Sequence, residues 1–396
     1  MAGRRQVSGA SVVALCLLLV SLVACGGGPA ADPARAQVQA LLDRRAEAVL
    51  DRDASAYGRT GTRAGFDALR AVPLADWSYR VTAVDRTGDT ATASADLSYR
   101  VDGYDRSPVT TARSLRLSRD RDGHWSVDSD RPAHRSGEQL WDQGTARAVR
   151  GERSLVLGVG QPEAALRDYA ELADRAVPAV SDAWGSRWPR RVVVLVPESL
   201  EDMAGLLGSP ASSYRGIAAV TTGATGAGTR APADRVIVNP DAFALLGDSG
   251  RQVVLTHETT HVATRADTSA ATPLWLSEGF ADWVGYRGAG RAPDEAAPEL
   301  AQAVGRGELP EALPDDDDFG FSGDADRLAR AYESGWTACR LIAEHWGEER
   351  LREFYRAVGA HQGRRGAVED AMARVLDTTP AEFTARWRQY VRELLA

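Results

Sequence analysis

The sequence His257-Glu258-Thr259-Thr260-His261 constrains the fold of this chain more than any other feature, because it joins two histidines and an acidic residue at helical spacing. Residues four apart lie on one face of an α-helix, so both imidazoles can reach the same metal ion. Glu258 is next to the first histidine, where its carboxylate can contact a water molecule on that metal. Neutral imidazoles suit Zn2+, so the motif predicts a zinc site on a helix.

The flanking residues indicate where this helix begins and predict a second helix after it. Ser249 and Gln252 have the spacing of a capping box, so we expect the first helix to start there. Thr272 and Pro273 suit the N-cap and first position of the second helix, and Gly288 suits its end. A catalytic zinc needs a third protein ligand and keeps one open coordination position. The second helix is expected to provide the third ligand.

Two carboxylates of the second helix have useful positions. Glu278 follows His261 after a spacer of sixteen residues, and Asp282 lies four residues further along. Residues at this spacing share a helix face. Asp282 is therefore well placed to hold the outer nitrogen of a metal-bound histidine, a contact that orients the ring.

The two motifs together resemble those of the gluzincins, the zinc metallopeptidases that include thermolysin and aminopeptidase N. The second helix of that family carries a sequence similar to Trp275-Leu276-Ser277-Glu278-Gly279-Phe280-Ala281. The resemblance implies that His257, His261 and Glu278 bind zinc. It also implies that Glu258 acts as general base and then as proton shuttle, and that Asp282 is the supporting carboxylate. The implied activity is hydrolysis of peptide bonds in a peptide or protein substrate.

The transition state of such a reaction needs a group that stabilises the developing oxyanion. Tyr332 falls where related enzymes carry a tyrosine with this role, and His345 is the alternative, because thermolysin-like enzymes use a downstream histidine. The segment 235–239, just before the motif helix, is expected to be the strand edge on which an extended peptide adds.

The N-terminus resembles a bacterial lipoprotein signal. Arg4 and Arg5 precede an apolar run that is too short to span a bilayer comfortably and that ends at Cys25 before three glycines. We therefore expect a signal peptide at 1–24, a lipid-modified Cys25 with a tether at 25–33, and a chain anchored on the outer face of the bacterial cell membrane. An ordinary cleaved signal or an uncleaved anchor is the alternative.

Between the tether and the motif, the sequence predicts two domains and an α+β fold class. Helical periodicity in 34–51 and 54–69 is followed by strands in which apolar and polar residues alternate, with a turn at Asp122-Gly123. This order of elements is similar to that of the cone-shaped nuclear-transport-factor-like domains. This assigns 34–135 to that domain. The remainder, 137–396, is assigned to a zincin-like domain with a small sheet, the motif helix and a helical C-terminal half.

Composition excludes some classes of protein and leaves one alternative open. The chain has 396 residues and a net charge of -8, with no basic domain, so nucleic acid is not an expected partner. With Cys16 and Cys25 assigned to the signal and the lipid, Cys339 has no expected disulfide partner. The alternative function is a non-catalytic, lipid-anchored binding or scaffold protein with a degenerate peptidase fold.

Overall fold

The computed structural model describes residues 33–223, 231–320 and 325–396. The expected signal peptide, Cys25 and all but the last residue of the tether lie outside the described residues. The described chain is a mixed α and β structure with a four-stranded antiparallel sheet, a five-stranded sheet and a helical C-terminal half. Within these ranges, no helix is both long and apolar enough to cross a membrane.

The first part of the chain is a layer of helices on the four-stranded sheet. Its elements are α1 (Pro33–Leu50), α2 (Ala54–Gly58), α3 (Ala64–Leu69), β1 (Leu74–Thr87), β2 (Thr90–Val101), β3 (Val109–Arg119) and β4 (Trp125–Pro132). The strands pair antiparallel in chain order. Every second residue of β2 from Ala91 to Val101 is buried, which confirms the alternation expected for a sheet with one buried face.

The single helix expected over 54–69 is wrong, because the chain leaves the helix to pair with β4. The backbone carbonyl of Thr60 accepts from the N–H of Val127 at 2.8 Å, and the N–H of Thr62 donates to the Val127 carbonyl at 2.8 Å. Gly61 between them has a φ of +134°, and a Cβ there would lie 2.1 Å from the Val127 oxygen. Only glycine permits this close approach.

A buried ion-pair network, which sequence reasoning did not predict, joins this sheet to the next segment. Arg113 is 3% exposed and binds the carboxylate of Asp130 at 2.8 Å. It also binds both carboxylate oxygens of Asp142, each at 2.8 Å, and Tyr79 donates to Asp130 at 2.7 Å. Asp142 belongs to α4 (Leu140–Gln143), so the network fixes the start of the second part of the chain against the first sheet.

The second part begins with the five-stranded sheet and the helices around it. Its elements are β5 (Arg147–Arg150), β6 (Ser154–Gly158), α5 (Glu163–Trp184), β7 (Val192–Val196), α6 (Leu200–Leu207), β8 (Ala219–Thr222) and β9 (Arg235–Val238). The strand order is β5-β6-β7-β9-β8, with β6, β7 and β9 parallel and the two edge strands antiparallel to them. Segment 235–239 is therefore not the edge, because the hairpin partner β8 covers the outer side of β9.

The C-terminal half is helical. Its helices are α7 (Pro240–Ala244), α8 (Asp248–Thr264), α9 (Leu274–Tyr286), α10 (Pro293–Ala296), α11 (Pro298–Gly305), α12 (Ala325–His345), α13 (Glu348–Gly359), α14 (Ala367–Ala371) and α15 (Pro380–Leu395). Cys339 on α12 is a buried free thiol, packed as a small apolar side chain.

Two apolar cores lie on opposite faces of the five-stranded sheet. Leu155 and Leu157 of β6 belong to the core of the first sheet, whereas Val156 between them belongs to the core of α5 and the C-terminal helices. Because side chains alternate along a strand, one short buried strand contributes to both cores.

Candidate active site

Helix α8 presents the two histidines of the motif on one face. It begins at Asp248 with Gly247 as N-cap, so the expected capping box of Ser249 and Gln252 is wrong. The Gln252 amide is used elsewhere: it donates to the Leu172 carbonyl at 3.1 Å and to the Thr256 hydroxyl at 3.1 Å. The side chain of Gln252 therefore positions α8 against α5 and does not cap α8.

Helix α9 brings the third candidate ligand to the two imidazoles. The Nε2 atoms of His257 and His261 are 3.1 Å apart. Oε2 of Glu278 lies 3.3 Å from each of them. The expected start of this helix, with Thr272 as N-cap and Pro273 as first residue, is one residue too early. The N-cap of α9 is Pro273, and its first helical residue is Leu274.

These three donor atoms fit a zinc ion. Ligands at about 2.0–2.1 Å from zinc in a tetrahedron lie about 3.3 Å from one another. The three observed separations, 3.1, 3.3 and 3.3 Å, match one face of such a tetrahedron. Two imidazoles and one carboxylate leave the fourth position free for water or substrate, as in catalytic zinc sites.

Asp282 orients the first histidine as predicted from its spacing. Its Oδ1 lies 2.7 Å from Nδ1 of His257, on the side of the ring away from Glu278. Burial alone would lower the pKa of His257, but the Asp282 carboxylate beside it raises that pKa well above its usual value. The contact keeps a proton on Nδ1 facing Asp282, so Nε2 is the nitrogen that would lose its proton and bind a metal.

The two histidines in turn affect the pKa of Glu278. Burial would raise the pKa of this carboxyl, but His261 and His257 beside it lower the pKa well below its usual range. Glu278 is therefore an anion throughout the neutral range, as a metal ligand must be.

Thr221, which sequence reasoning missed, holds the carboxylate expected to act as general base. Its hydroxyl donates to Oε2 of Glu258 at 2.6 Å and lies 3.1 Å from the Glu258 carbonyl oxygen. Glu258 is 6% exposed, so this bond fixes a buried carboxylate. Thr221 lies on β8, 37 residues before its partner, and no local sequence pattern connects two residues at that distance.

Three helix glycines, also missed, allow the helices of the site to come close together. A Cβ on Gly279 of α9 would lie 2.2 Å from the carbonyl oxygen of Gly335 on α12. A Cβ on Gly335 would lie 2.6 Å from the carbonyl oxygen of Trp275, and one on Gly285 would lie 3.1 Å from that of Val253 on α8. Glycine in a helix interior lowers stability by up to about 1 kcal/mol relative to alanine. Glycines within these helices are therefore the sequence feature that could have indicated close packing.

A cleft of about 710 Å³ runs over this centre, and Tyr332 lines it together with His257 and Glu258. Burial and the carboxylates of Glu278, Asp282 and Glu258 raise the pKa of Tyr332 well above its usual value, so its hydroxyl stays protonated. His345, the alternative oxyanion residue, is not among the cleft residues; it contacts Arg386 near the end of α12.

One further acidic group in the cleft sits at a helix start. Glu333 is 8% exposed and accepts from the backbone N–H groups of Glu299 and Leu300 at 3.2 and 2.6 Å. Burial raises the pKa of its carboxyl to about 7, although these two hydrogen bonds oppose the shift. Glu333 thus fixes α11 against α12.

The outer edge of the sheet borders the same cleft. Ile217 and Ala218, just before β8, and Ala219, its first residue, are cleft residues. The β8 edge is free of a further strand in the described part of the chain. An extended peptide can therefore add to β8, in place of the strand 235–239 that the sequence suggested.

Comparison with known proteins gave remote structural similarity alone. No protein-family model and no curated protein matches the chain. Similar solved structures include native yeast LTA4 hydrolase, at 10% identity and a TM-score of 0.40, and an M1 zinc metallopeptidase from Deinococcus radiodurans, at 16% and 0.35. Both matches cover 81% of this chain and 60% of the other. A two-domain M1 zinc metallopeptidase variant bound to L-arginine, at 11% identity and a TM-score of 0.35, is matched over 81% and 94%. The chain thus spans about three fifths of the first two proteins, and the site is argued from its own side chains.

Proposed function

We propose that the chain is a zinc-dependent peptidase. The observation that carries this proposal is the tetrahedral spacing of His257, His261 and Glu278, with Glu258 held in the same cleft. A purely structural zinc site is normally closed by four protein ligands. Here the described residues supply three, next to a buried carboxylate and a cleft large enough for a peptide.

Each residue of the centre has a defined role in peptide hydrolysis. His257, His261 and Glu278 would hold the zinc ion, which would supply a Lewis acid that lowers the pKa of water to about 7 and polarises a peptide carbonyl. Glu258 accepts the proton of the attacking water and later donates it to the leaving amine. Thr221 orients the Glu258 carboxylate through its hydrogen bond, and Asp282 orients His257. Tyr332, which stays protonated, donates a hydrogen bond to the carbonyl oxygen as negative charge develops on it.

The substrate proposed is an extended peptide or protein segment that pairs with β8. Its backbone would add to the free edge next to Glu258, because the main-chain groups of an edge strand have no partner on that side. The apolar side chains Val253, Val254 and Leu328 line the cleft and would contact the substrate side chains. Main-chain pairing predicts that affinity depends on an extended backbone more than on one particular side chain.

We also propose the cellular setting that the N-terminus indicates. Cys25 would carry the lipid, residues 34–135 would form the nuclear-transport-factor-like domain, and 137–396 the peptidase domain, on the outer face of the cell membrane. A Cys25→Ser substitution tests the anchor by membrane fractionation and by lipid labelling. The lipoprotein proposal requires loss of lipid labelling in the variant, and labelling that persists would contradict it.

The decisive experiment compares zinc content and peptide cleavage in three variants. We expect about one zinc per chain in the parent protein and in Glu258→Gln, and a weakened site in Glu278→Ala. Cleavage of a mixed peptide library should occur in the parent and be lost in both variants. Glu295→Gln is the matched control, because Glu295 also lines the cleft but lies at its exposed rim.

The outcomes separate the two candidate functions. Zinc binding without cleavage of any peptide would favour the non-catalytic scaffold protein. Cleavage that survives Glu258→Gln would refute the assigned general base. Absence of zinc in folded protein never exposed to chelator would refute the metal centre itself.

A further inference from the structure

A second cavity, of about 620 Å³, lies at the C-terminal end of α8, where the first sheet meets the C-terminal half. It is lined by the loop 103–106 after β2, by 186–191 after α5, by 231–234 before β9 and by 262–266 at the end of α8. None of the residues expected to bind zinc or to act on a peptide lines it. Its volume is in the range of small-ligand sites.

The carboxylates of this cavity are already neutralised by partners within the protein. Both oxygens of Asp105 accept from Arg235, at 2.8 and 3.0 Å. Asp234 accepts from Arg265 at 2.9 Å. These two pairs are largely buried, with side-chain exposures of 0–20%, and they leave no carboxylate of the cavity free for another cation.

Three further cations at the cavity have no such partner. Arg106, Arg187 and Arg191 are exposed, and none of them forms an ion pair with a residue in the described ranges. Arg191 donates one hydrogen bond, to the carbonyl of Gly103 at 3.1 Å. The cavity is thus a positive region on a chain whose net charge is -8.

The wall of the cavity also contains a tryptophan whose indole N–H has no partner in the described residues. Trp188 is 8% exposed, and its Nε1 is buried with no hydrogen-bond partner in the part of the chain that is described. A buried N–H without an acceptor costs about 1–3 kcal/mol. Trp188 follows Arg187 directly, so the unpaired N–H and the unpaired cations occur in the same segment of the wall.

We propose that this cavity binds a phosphate group. The guanidinium groups of Arg106, Arg187 and Arg191 offer more donors than the two oxygens of a carboxylate can accept, whereas phosphate has more oxygens and up to two charges. The planar fork of arginine matches phosphate geometry. The group can come from a soluble phosphate compound or from the headgroup of an anionic phospholipid, and both present the same chemistry to the cavity.

The test uses the full-length chain in neutral detergent and two probes. Inorganic pyrophosphate is titrated by calorimetry at low salt, and phosphatidylglycerol is added to the micelles, with phosphatidylcholine as the uncharged comparison. The variant Arg106→Gln/Arg187→Gln/Arg191→Gln removes the unpaired cations. The matched control is Arg44→Gln/Arg121→Gln/Arg392→Gln, which removes three exposed arginines outside the cavity and leaves the metal centre equally intact.

We expect at least one probe to bind the parent and the control variant, and to bind the cavity variant about tenfold or more weakly. A response to pyrophosphate alone identifies a soluble phosphate compound, and a response to phosphatidylglycerol alone identifies a lipid headgroup. The proposal is overturned if neither probe binds, or if the cavity variant and the control variant bind equally.

Discussion

Replacing Thr221 with valine removes the hydroxyl that holds Glu258 and keeps the shape of the side chain. The lost bond joins a neutral donor to a buried carboxylate at 2.6 Å. Hydrogen bonds to charged groups contribute about 1.5–3 kcal/mol. If that energy orients the general base in the transition state, kcat should fall by about 10- to 150-fold. The KM should change little, because the Thr221 side chain contacts the base, whereas the proposed pairing of the peptide uses the backbone of β8, which valine also provides.

The assay is steady-state cleavage of a fluorogenic peptide, with zinc content measured on the same samples. Thr221→Ser keeps the hydroxyl and should recover most of the rate. Thr222→Val is the matched control on the same strand, because its hydroxyl bonds to the Arg235 carbonyl at 3.3 Å and not to Glu258. An unchanged kcat in Thr221→Val would refute the positioning role. An equal loss of rate in Thr222→Val would show a general effect on β8.

Three other changes test the supports of the site. Asp282→Asn removes the carboxylate that orients His257 and should weaken zinc binding by about 10- to 100-fold, measured by competition with a chelator. Gly335→Ala forces a Cβ to within 2.6 Å of a backbone oxygen of α9, so it should lower the free energy of unfolding by about 1–3 kcal/mol and reduce the zinc content. Gly305→Ala is the control, because a Cβ there meets open space and should change neither quantity. The pKa of Glu333 is raised to about 7 in the folded protein from an ordinary value of 4.5, so the folded state binds the proton more tightly. Stability should therefore fall as the pH rises from about 4.5 to 7, and Glu333→Gln should flatten this part of a plot of melting temperature against pH.

Local patterns predicted much of the architecture because they act within one element. The alternation in β2 and the helical spacing around His257 depend on residues a few positions apart, and the structure has both elements there. The same reasoning placed Glu278 and Asp282 on one helix face, where they do reach the histidines of α8.

What could not be predicted depends on pairing between distant segments. The order of β8 and β9 is decided when a hairpin folds back over the outer edge of β9, and neither strand carries a pattern that distinguishes edge from centre. The break of the helix after Gly58 is caused by backbone bonds to Val127, almost 70 residues later. Thr221 likewise acquires its role only when β8 lies beside α8.

The short helix α9 explains why the sequence around Glu278 is so restricted. Glu278, Asp282 and Gly285 follow the i, i+4, i+7 spacing of one helix face, and all three contact α8 or lie against it. The side chains of Glu278 and Asp282 are short, so their carboxylates reach the imidazoles only if the two helices are close. Gly285 permits that approach because it places no side chain between α9 and the backbone of Val253. Gly279, on the adjoining face, allows α12 to come close to α9, and α12 carries Tyr332, which lines the cleft. The glycines of α9 thus determine the distances between three helices, so a methyl group added at either position should displace side chains of the candidate site that it does not touch.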